Sequence, residues 1–383
     1  MAVINALRLT DFRSYASLDL LLDGRPVVLY GSNGAGKTNL MEAVSLLSPG
    51  RGLRRAKPAA LARSFDGDIA AAWGVVASIT AAGREETVKI AVGQVPEYPR
   101  RRSLRIEGKA ATGVQMAALM PMMWLTPEHD RLFTGPASDR RKFLDRFCLA
   151  FAASHGTHYL RYEKARAERN RLLADNITDA AWYDALEADM AHYGARVAQA
   201  RAHTLALLKA EIEARPEGAF PKAVIALEGE AEQQFESYES SALGEEGKLE
   251  SVQAFIAAQL KDERRNDMAA GRTLRGVHRS DLRVHHGPKN MPAESCSTGE
   301  QKALLIGLVL AQARAQADKR PILLLDEVAA HLDEIRRAAM IEELLALGLQ
   351  TFLTGTDAEL FSAFAGRAQS FHVNNAILTP IEG

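Results

Sequence analysis

Apolar and polar positions alternate over residues 3–9, and short apolar runs follow at 18–22 and 27–30. Both patterns predict strands, and the three are expected to share one sheet. Residues 51–109 keep this character, with strand-like stretches at 73–80, 87–92 and 104–106 between glycines and charged clusters. The apolar run 120–125 reads as a buried strand ending at Thr126-Pro127-Glu128-His129-Asp130. After Gly135-Pro136, with Ser138-Asp139 as a helix start, the period changes. Phe143, Phe147 and Phe151, then Tyr159 and Tyr162, recur at helical spacing. Trp182, Leu186, Met190, Tyr193 and Val197 mark the apolar face of a second helix, read as core. Running from near Thr178 to Arg215-Pro216, it would span roughly 55 Å at 1.5 Å per residue, the length of a projecting arm. Residues 228–250 are acidic with Ser and Gly and read as a solvated loop before a helix at 251–260. A last helix is expected from Lys302 to about Gln316, followed by the all-apolar run 322–325.

The 383 residues suit two or three domains, and 47% hydrophobic with 25% charged residues is the balance of a globular protein. No stretch reads as a bilayer span or an export signal, and Cys148 and Cys296 stand far apart, so a reduced, cytoplasmic setting without a membrane partner is expected. The net charge of −1 hides a division. Residues 1–175 hold 26 Lys and Arg against 17 Asp and Glu, and the remainder 21 against 31, so the surpluses are +9 and −10. Basic clusters at Arg51, Arg54, Arg55 and Lys57, and at Arg100, Arg101, Arg102 and Arg105, suit a polyanion such as DNA.

Candidate chemistry concentrates in Gly31-Ser32-Asn33-Gly34-Ala35-Gly36-Lys37-Thr38, a phosphate-binding loop between a short apolar run and a helix bearing Leu40, Val44 and Leu47. Glycines let consecutive backbone N–H groups curl around phosphate oxygens, and the helix aims its positive end at the same anion. Lys37 would reach the β- and γ-phosphates of ATP, and the Thr38 hydroxyl would bind Mg²⁺. Arg13, in Phe12-Arg13-Ser14-Tyr15, is either a solvated turn residue or a nucleotide contact. The run ending in Asp326-Glu327 reads as a central parallel strand. Alternation along it would turn Asp326 toward Mg²⁺ and Glu327 toward an attacking water.

Ser297-Thr298-Gly299-Glu300 is a capping box and also resembles the signature motif of ABC-type ATPases. There the Ser hydroxyl and helix N-terminus bind the γ-phosphate held by a second subunit, which assigns Ser297 and Gly299. Asp333, in Ala330-His331-Leu332-Asp333, matches the D-loop of that class. The expected fold class is therefore α/β, an ABC/SMC-like P-loop ATPase head with an inserted, mainly helical arm domain. About 260 residues separate Lys37 from Ser297, which places the head at 1–138 and 276–383 and the arm at 139–275.

The chain resembles the RecF family of bacterial recombination and replication-repair ATPases over nearly its whole length. The resemblance rests on Phe12-Arg13-Ser14-Tyr15, on Lys37-Thr38-Asn39-Leu40-Met41-Glu42-Ala43, and on Arg140-Arg141-Lys142-Phe143-Leu144-Asp145. Arg169-Asn170-Arg171-Leu172-Leu173 and the two late motifs complete it. The family usually has Gly-Pro-His-Arg-Asp-Asp where this chain has Gly276-Val277-His278-Arg279-Ser280-Asp281. Its signature commonly reads Ser-x-Gly-Gln-Gln-Arg, against Glu300 and Lys302 here, and Thr356 is a weak substitute for the switch His. The resemblance implies a head-to-tail homodimer around two ATP molecules. Such a dimer would be a weak DNA-dependent ATPase on single-stranded gaps and adjoining duplex, acting with RecR and RecO to place RecA. Another SMC-like ATPase or an ABC transporter subunit is the alternative. A phosphotransferase kinase would share the loop but have no use for Ser297.

Overall fold

The structure, a computed structural model, describes residues 2–81, 86–94, 101–238 and 243–381. Met1 and Arg100 lie outside the described residues. The chain opens with β1 (Val3–Phe12), β2 (Tyr15–Leu21) and β3 (Val27–Tyr30), then α1 (Lys37–Ser45). The small hairpin β4 (Ser64–Phe65) and β5 (Asp68–Ile69) precedes β6 (Trp73–Thr80), β7 (Thr87–Gln94), β8 (Ser103–Ile106) and β9 (Lys109–Ala110). Next come α2 (Gly113–Leu119), β10 (Met122–Leu125), α3 (Ala137–Phe151), α4 (His155–Ala174) and α5 (Ala180–Ala214). They are followed by β11 (Ala223–Glu228), α6 (Glu230–Ser237), α7 (Glu245–Asp262), α8 (Arg264–Ala270), β12 (Asp281–His286) and β13 (Met291–Pro292). The chain closes with α9 (Thr298–Ala315), β14 (Ile322–Leu325), α10 (Glu334–Leu347), β15 (Thr351–Gly355), β16 (Gln369–Asn374) and β17 (Ile377–Ile381).

Two compact units result. The first gathers residues 1–130, 217–221 and 297–383, and the second residues 131–216 and 222–296. The arm boundaries expected at 138/139 and 275/276 both fall inside the second unit. The reason is pairing: β12 lies antiparallel to β11, and Arg140 on α3 clasps Asp281 at 2.7 and 2.8 Å.

The first unit contains two sheets, not the single sheet expected of the three opening strands. β1 and β2 belong to an antiparallel sheet of order β2-β1-β6-β7-β8-β9, whereas β3 joins the order β10-β14-β15-β3-β16-β17, parallel except at β17. The strand patterns explain the split. β1 mixes buried and exposed positions, as a sheet with one wet face does, while β3 and β14 are apolar along their length, as strands covered on both faces must be.

The second unit is a helical bundle with a three-stranded sheet, β11-β12-β13. The long helix α5 has 35 residues and buries Met190, Ala191, Ala195, Val197 and Ala198 against Tyr162 of α4 and Val252 and Ile256 of α7. Its register corrects one expectation. Trp182 is 62% exposed, and its neighbour Tyr183 is the buried residue. The acidic stretch 228–250, expected as a loop, carries α6 and the start of α7, where Ala231, Phe235 and Leu249 are buried. Helix α3 begins directly after Pro136, without a side-chain cap from Ser138. Among the described residues no helix is long and apolar enough to cross a membrane.

Candidate nucleotide site

The phosphate loop joins β3 to α1 and is pressed against the β16–β17 hairpin. Gly31 has φ 149°, and a Cβ there would sit 2.2 Å from the Val373 carbonyl oxygen, so only glycine fits. Gly36, with φ 116°, lies beneath Tyr15, whose hydroxyl donates to the Gly36 carbonyl at 3.1 Å. The Ala376 N–H donates to Ala35 at 2.8 Å. Ser32, Asn33 and Gly34 form the exposed crest between these anchors.

Lys37 is 4% exposed and donates to the carbonyls of Gly31 and Ser32 at 2.6 and 2.9 Å. Burial pushes its pKa down, and the carboxylates of Glu327 and Asp326 push part of the way back. Thr38 donates to Asp326 Oδ1 at 3.1 Å. Two oxygen donors so close are the hard-ligand chemistry that Mg²⁺ prefers, so the site fits that ion through Thr38 and Asp326.

Asp326 and Glu327 lie just beyond β14, so strand alternation does not set their directions, as had been expected. A turn does. Glu327 takes the left-handed conformation at φ 54°, and its N–H donates to Thr354 Oγ1 at 2.8 Å. Thr354 in turn donates to Asp326 Oδ1 at 2.7 Å. Left-handed backbone at a non-glycine costs about 1–3 kcal/mol and persists where surrounding contacts hold it. Burial raises the pKa of Asp326, the hydrogen bonds from Thr354 and Thr38 oppose that rise, and Glu327 adds to it. Thr354, not the Thr356 expected from sequence, is the threonine that bonds the carboxylate pair; Thr356 is exposed and donates to Asp357. The signal for Thr354 was a polar side chain at the carboxyl end of an apolar strand, where ligands of open parallel sheets bind.

The other expected residues occupy separate places. Arg13, at the β1–β2 turn, points its guanidinium at Glu42 on α1 and at the Ala60 carbonyl. Ser297 caps α9 in the expected box: its hydroxyl donates to Glu300 and accepts the Glu300 N–H, and the side chain is exposed. Gly299 follows it with open space where a Cβ would lie. Asp333 caps α10, accepting the Arg336 N–H at 2.8 Å, with its side chain 55% exposed. Of the basic clusters, Arg51, Arg54, Arg55, Lys57, Arg101 and Arg105 are exposed. Arg102 instead turns inward and donates to the Ser48 carbonyl, and burial lowers its pKa to about 10.

Among the described residues, Asp145, Cys148 and His155 also approach within metal-ligand distance. Arg201 occupies that carboxylate, donating to both of its oxygens at 2.8 and 3.0 Å. Burial pushes the Cys148 thiol up to about 12, which leaves it protonated and a poor ligand. Neither cysteine is in a disulfide, and both are buried.

A phosphate loop after one parallel strand, a paired carboxylate after another, and one strand between them carrying Thr354 define an ATPase head of the SMC-like ABC class. The family model described as RecF/RecN/SMC N terminal domain matches residues 3–379. The chain is 46% identical over 391 residues to the DNA replication and repair protein RecF of Caulobacter vibrioides, covering 100% of this chain and 99% of that one. It is 48% identical over 385 residues to that of Mesorhizobium japonicum, covering 99% and 98%. The chain belongs to the RecF family. Two solved structures share its fold. The recombination mediator protein RecF-ATPrS in the RecFOR pathway superposes with a TM-score of 0.80 at 22% identity, covering 99% of this chain and 98% of that chain. The Smc head domain of Pyrococcus furiosus gives 0.57 at 15% identity, covering 100% and 96%.

Proposed function

We propose that this protein is an ATP-driven DNA clamp of recombinational repair and replication restart, acting in the cytoplasm. It dimerises around two nucleotides, holds DNA while ATP is bound, and releases it after slow, DNA-dependent hydrolysis. The reading rests on the Lys37–Thr38–Asp326 constellation, which has the donors a Mg²⁺–triphosphate needs, together with Ser297 exposed at the head of a separate helix in the same unit. In a dimer, Ser297 and Gly299 of one copy meet the γ-phosphate bound by the other, and Asp333 lines the same seam. Ile335, two residues on and 77% exposed, is an apolar side chain that such a seam would cover.

Within each site the loop N–H groups and Lys37 bind the phosphates, and Thr38 and Asp326 hold Mg²⁺. Mg²⁺ held there would neutralise charge on the triphosphate. Thr354 fixes Asp326 and the turn at Glu327, so that the Glu327 carboxylate can orient and polarise the attacking water. Because Ser297 touches only the γ-phosphate, its loss weakens the dimer, and nucleotide state becomes DNA affinity through a population shift. The exposed cationic residues at 51–57, with Arg101 and Arg105, form the DNA track once two heads join. By family, the clamp works with RecR and RecO to place RecA on single-stranded gaps beside duplex.

Sedimentation of wild type and Ser297→Arg, with ATP and with or without gapped DNA, tests this. ATP-dependent dimers in wild type alone, enriched on gapped DNA, are the expected result. A wild-type monomer that binds ATP and ignores DNA overturns it.

A further inference from the structure

The α4–α5 hairpin carries a surface that neither the nucleotide site nor the basic clusters use. Along α4, Glu168, Leu172 and Asp175 follow one another at helical spacing, and along α5 Trp182, Leu186 and Asp189 do the same. Between them lies a groove of about 580 Å³ walled by Leu172, Trp182, Ala185 and Leu186, with Glu168 and Arg171 on its rim. Trp182 is 62% exposed, while Trp73 and Trp124 are 3% and 9% exposed.

The exposure of Trp182 is set by ion pairs on the opposite face of α5. Tyr183, 2% exposed, donates its hydroxyl to the Ile177 carbonyl and lies under the guanidinium groups of Arg169 and Arg264 at 5.9 and 5.6 Å. Glu187, 3% exposed, accepts from Arg169 and Arg264 at 2.6–3.0 Å. Arg169 is fully buried and also binds Asp267 and Thr273. Rotating α5 to bury the indole would strip partners from these charges, at a cost of several kcal/mol per ion. The indole is therefore held outward beside an apolar groove.

Charge identifies what the groove can receive. Residues 172–195 contain five Asp and Glu and no Lys or Arg. Arg264 takes Asp184 and Glu187, and Lys164 lies 3.9 Å from Glu168 on the rim. Asp175, Asp179 and Asp189, exposed and each three residues from a wall residue in sequence, outnumber the one rim cation, Arg171. Such a rim repels nucleic acid and attracts cationic side chains.

We propose that this groove docks an amphipathic, basic helix of a partner protein. An aliphatic side chain packs beside Trp182, and Lys or Arg residues flanking it meet Asp175, Asp189 and Glu168. An apolar wall between charged residues suits the apolar face of an amphipathic helix, and Trp is among the residue types most enriched in dominant binding positions.

The test uses the full chain and a fluorescein-labelled 18-residue peptide of Leu and Lys at amphipathic helical spacing, read by anisotropy. Two control peptides carry Glu in place of Lys, or the same Leu and Lys scrambled. Saturable binding of the amphipathic basic peptide alone is expected, weakened about tenfold or more in Trp182→Ala. Binding should also weaken in Asp189→Lys, more at low salt than at high salt, with ATP affinity unchanged in both variants. The neutral quencher acrylamide should reach Trp182 in the free protein and lose access when the peptide binds. Equal binding of the scrambled peptide, or full binding by Trp182→Ala, overturns the proposal. Concentration-dependent self-association that Trp182→Ala abolishes replaces it with a contact between copies. A loss of DNA binding in Trp182→Ala would assign the groove to nucleic acid and overturn it equally.

Discussion

Arg13 and Glu42 form a two-pronged ion pair, Nε to Oε2 at 2.8 Å and Nη2 to Oε1 at 3.0 Å, in which the glutamate side chain has no exposed surface. Glu42 sits on the helix that follows the phosphate loop, and Arg13 sits at the turn of the antiparallel sheet in left-handed conformation at φ 53°. The pair ties one sheet of the head to the nucleotide site. Removing the arginine leaves a buried carboxylate with only Arg54, at 3.8 Å, to balance it, and breaking a buried pair costs at most about 3–5 kcal/mol. Arg13→Ala should lower unfolding stability by up to that amount, and Arg13→Ala/Glu42→Ala should recover part of it in a urea double-mutant cycle. Arg13→Ala with wild-type stability and lost ATP binding would place the guanidinium on the phosphates instead.

Ser280 stands where the family usually has Asp, and its surroundings give the reason. It is 1% exposed and donates to Glu232 Oε1 at 2.6 Å, beside Arg201, which already balances Asp145 and Glu232. A carboxylate at 280 would add a third negative charge beside that one guanidinium. Ser280→Ala should cost about 1–3 kcal/mol, the loss of a hydrogen bond to a charged group, and Ser280→Asp more. Thermal unfolding of the two variants checks the order, and an Asp variant at least as stable as wild type would contradict it.

His278 predicts a pH dependence. Its Nε2 faces the Thr273 carbonyl at 3.3 Å and so carries the hydrogen, which leaves Nδ1 to accept the Tyr162 hydroxyl at 2.8 Å. Burial, reinforced by the charge of Arg166, lowers its pKa from 6.5 to about 3. The unfolded chain therefore takes up a proton that the folded chain refuses. This contribution is constant above about pH 6.5 and is lost as pH falls from there toward 3. Between pH 6.5 and 5, above the carboxylate range, the urea midpoint of wild type should fall. His278→Gln should flatten that fall, and an unchanged slope would refute the assignment.

The two halves of the second basic cluster should behave differently. Arg101→Glu and Arg105→Glu, both exposed, should weaken DNA binding across sequences and reduce the salt dependence by about one unit each. Arg102→Ala should instead destabilise the fold, because that guanidinium docks on the Ser48 carbonyl. Filter binding over a salt series, alongside unfolding curves, separates them. Equal DNA defects from all three would show that Arg102 also faces the polyanion.

What the sequence made legible was chemistry fixed by short local patterns. The phosphate loop, the capping box at Ser297 and the apolar strand before Asp326 each carry their physical reason within eight or so residues. Pairing and register were less legible. β1 and β3 are near neighbours in sequence, yet β3 pairs with β15 and β16, more than 300 residues on, and only its unbroken apolar run marked it as buried on both faces. The acidic composition of 228–250 masked the spacing of Ala231 and Phe235 and the start of the stripe Leu249, Val252, Ile256. Trp182 was misplaced by one helical position because buried ion pairs from Arg169 and Arg264, not the apolar residues, set the rotation of α5. Thr354 escaped notice because its role depends on a neighbouring strand.

The central claim, that each ATP lies between one copy's phosphate loop and the other copy's Ser297, is tested most directly by mixing two inactive variants. Lys37→Ala and Ser297→Arg each spoil both sites of their own homodimer. A mixed dimer contains one doubly spoiled site and one intact site, formed by the loop of the Ser297→Arg copy and the signature helix of the Lys37→Ala copy. ATPase activity on gapped DNA should therefore reappear on mixing and vanish on dilution below the dimer range. Two variants that stay inactive when mixed, with the mixed dimer shown to form, would contradict the account and place the whole site within one chain.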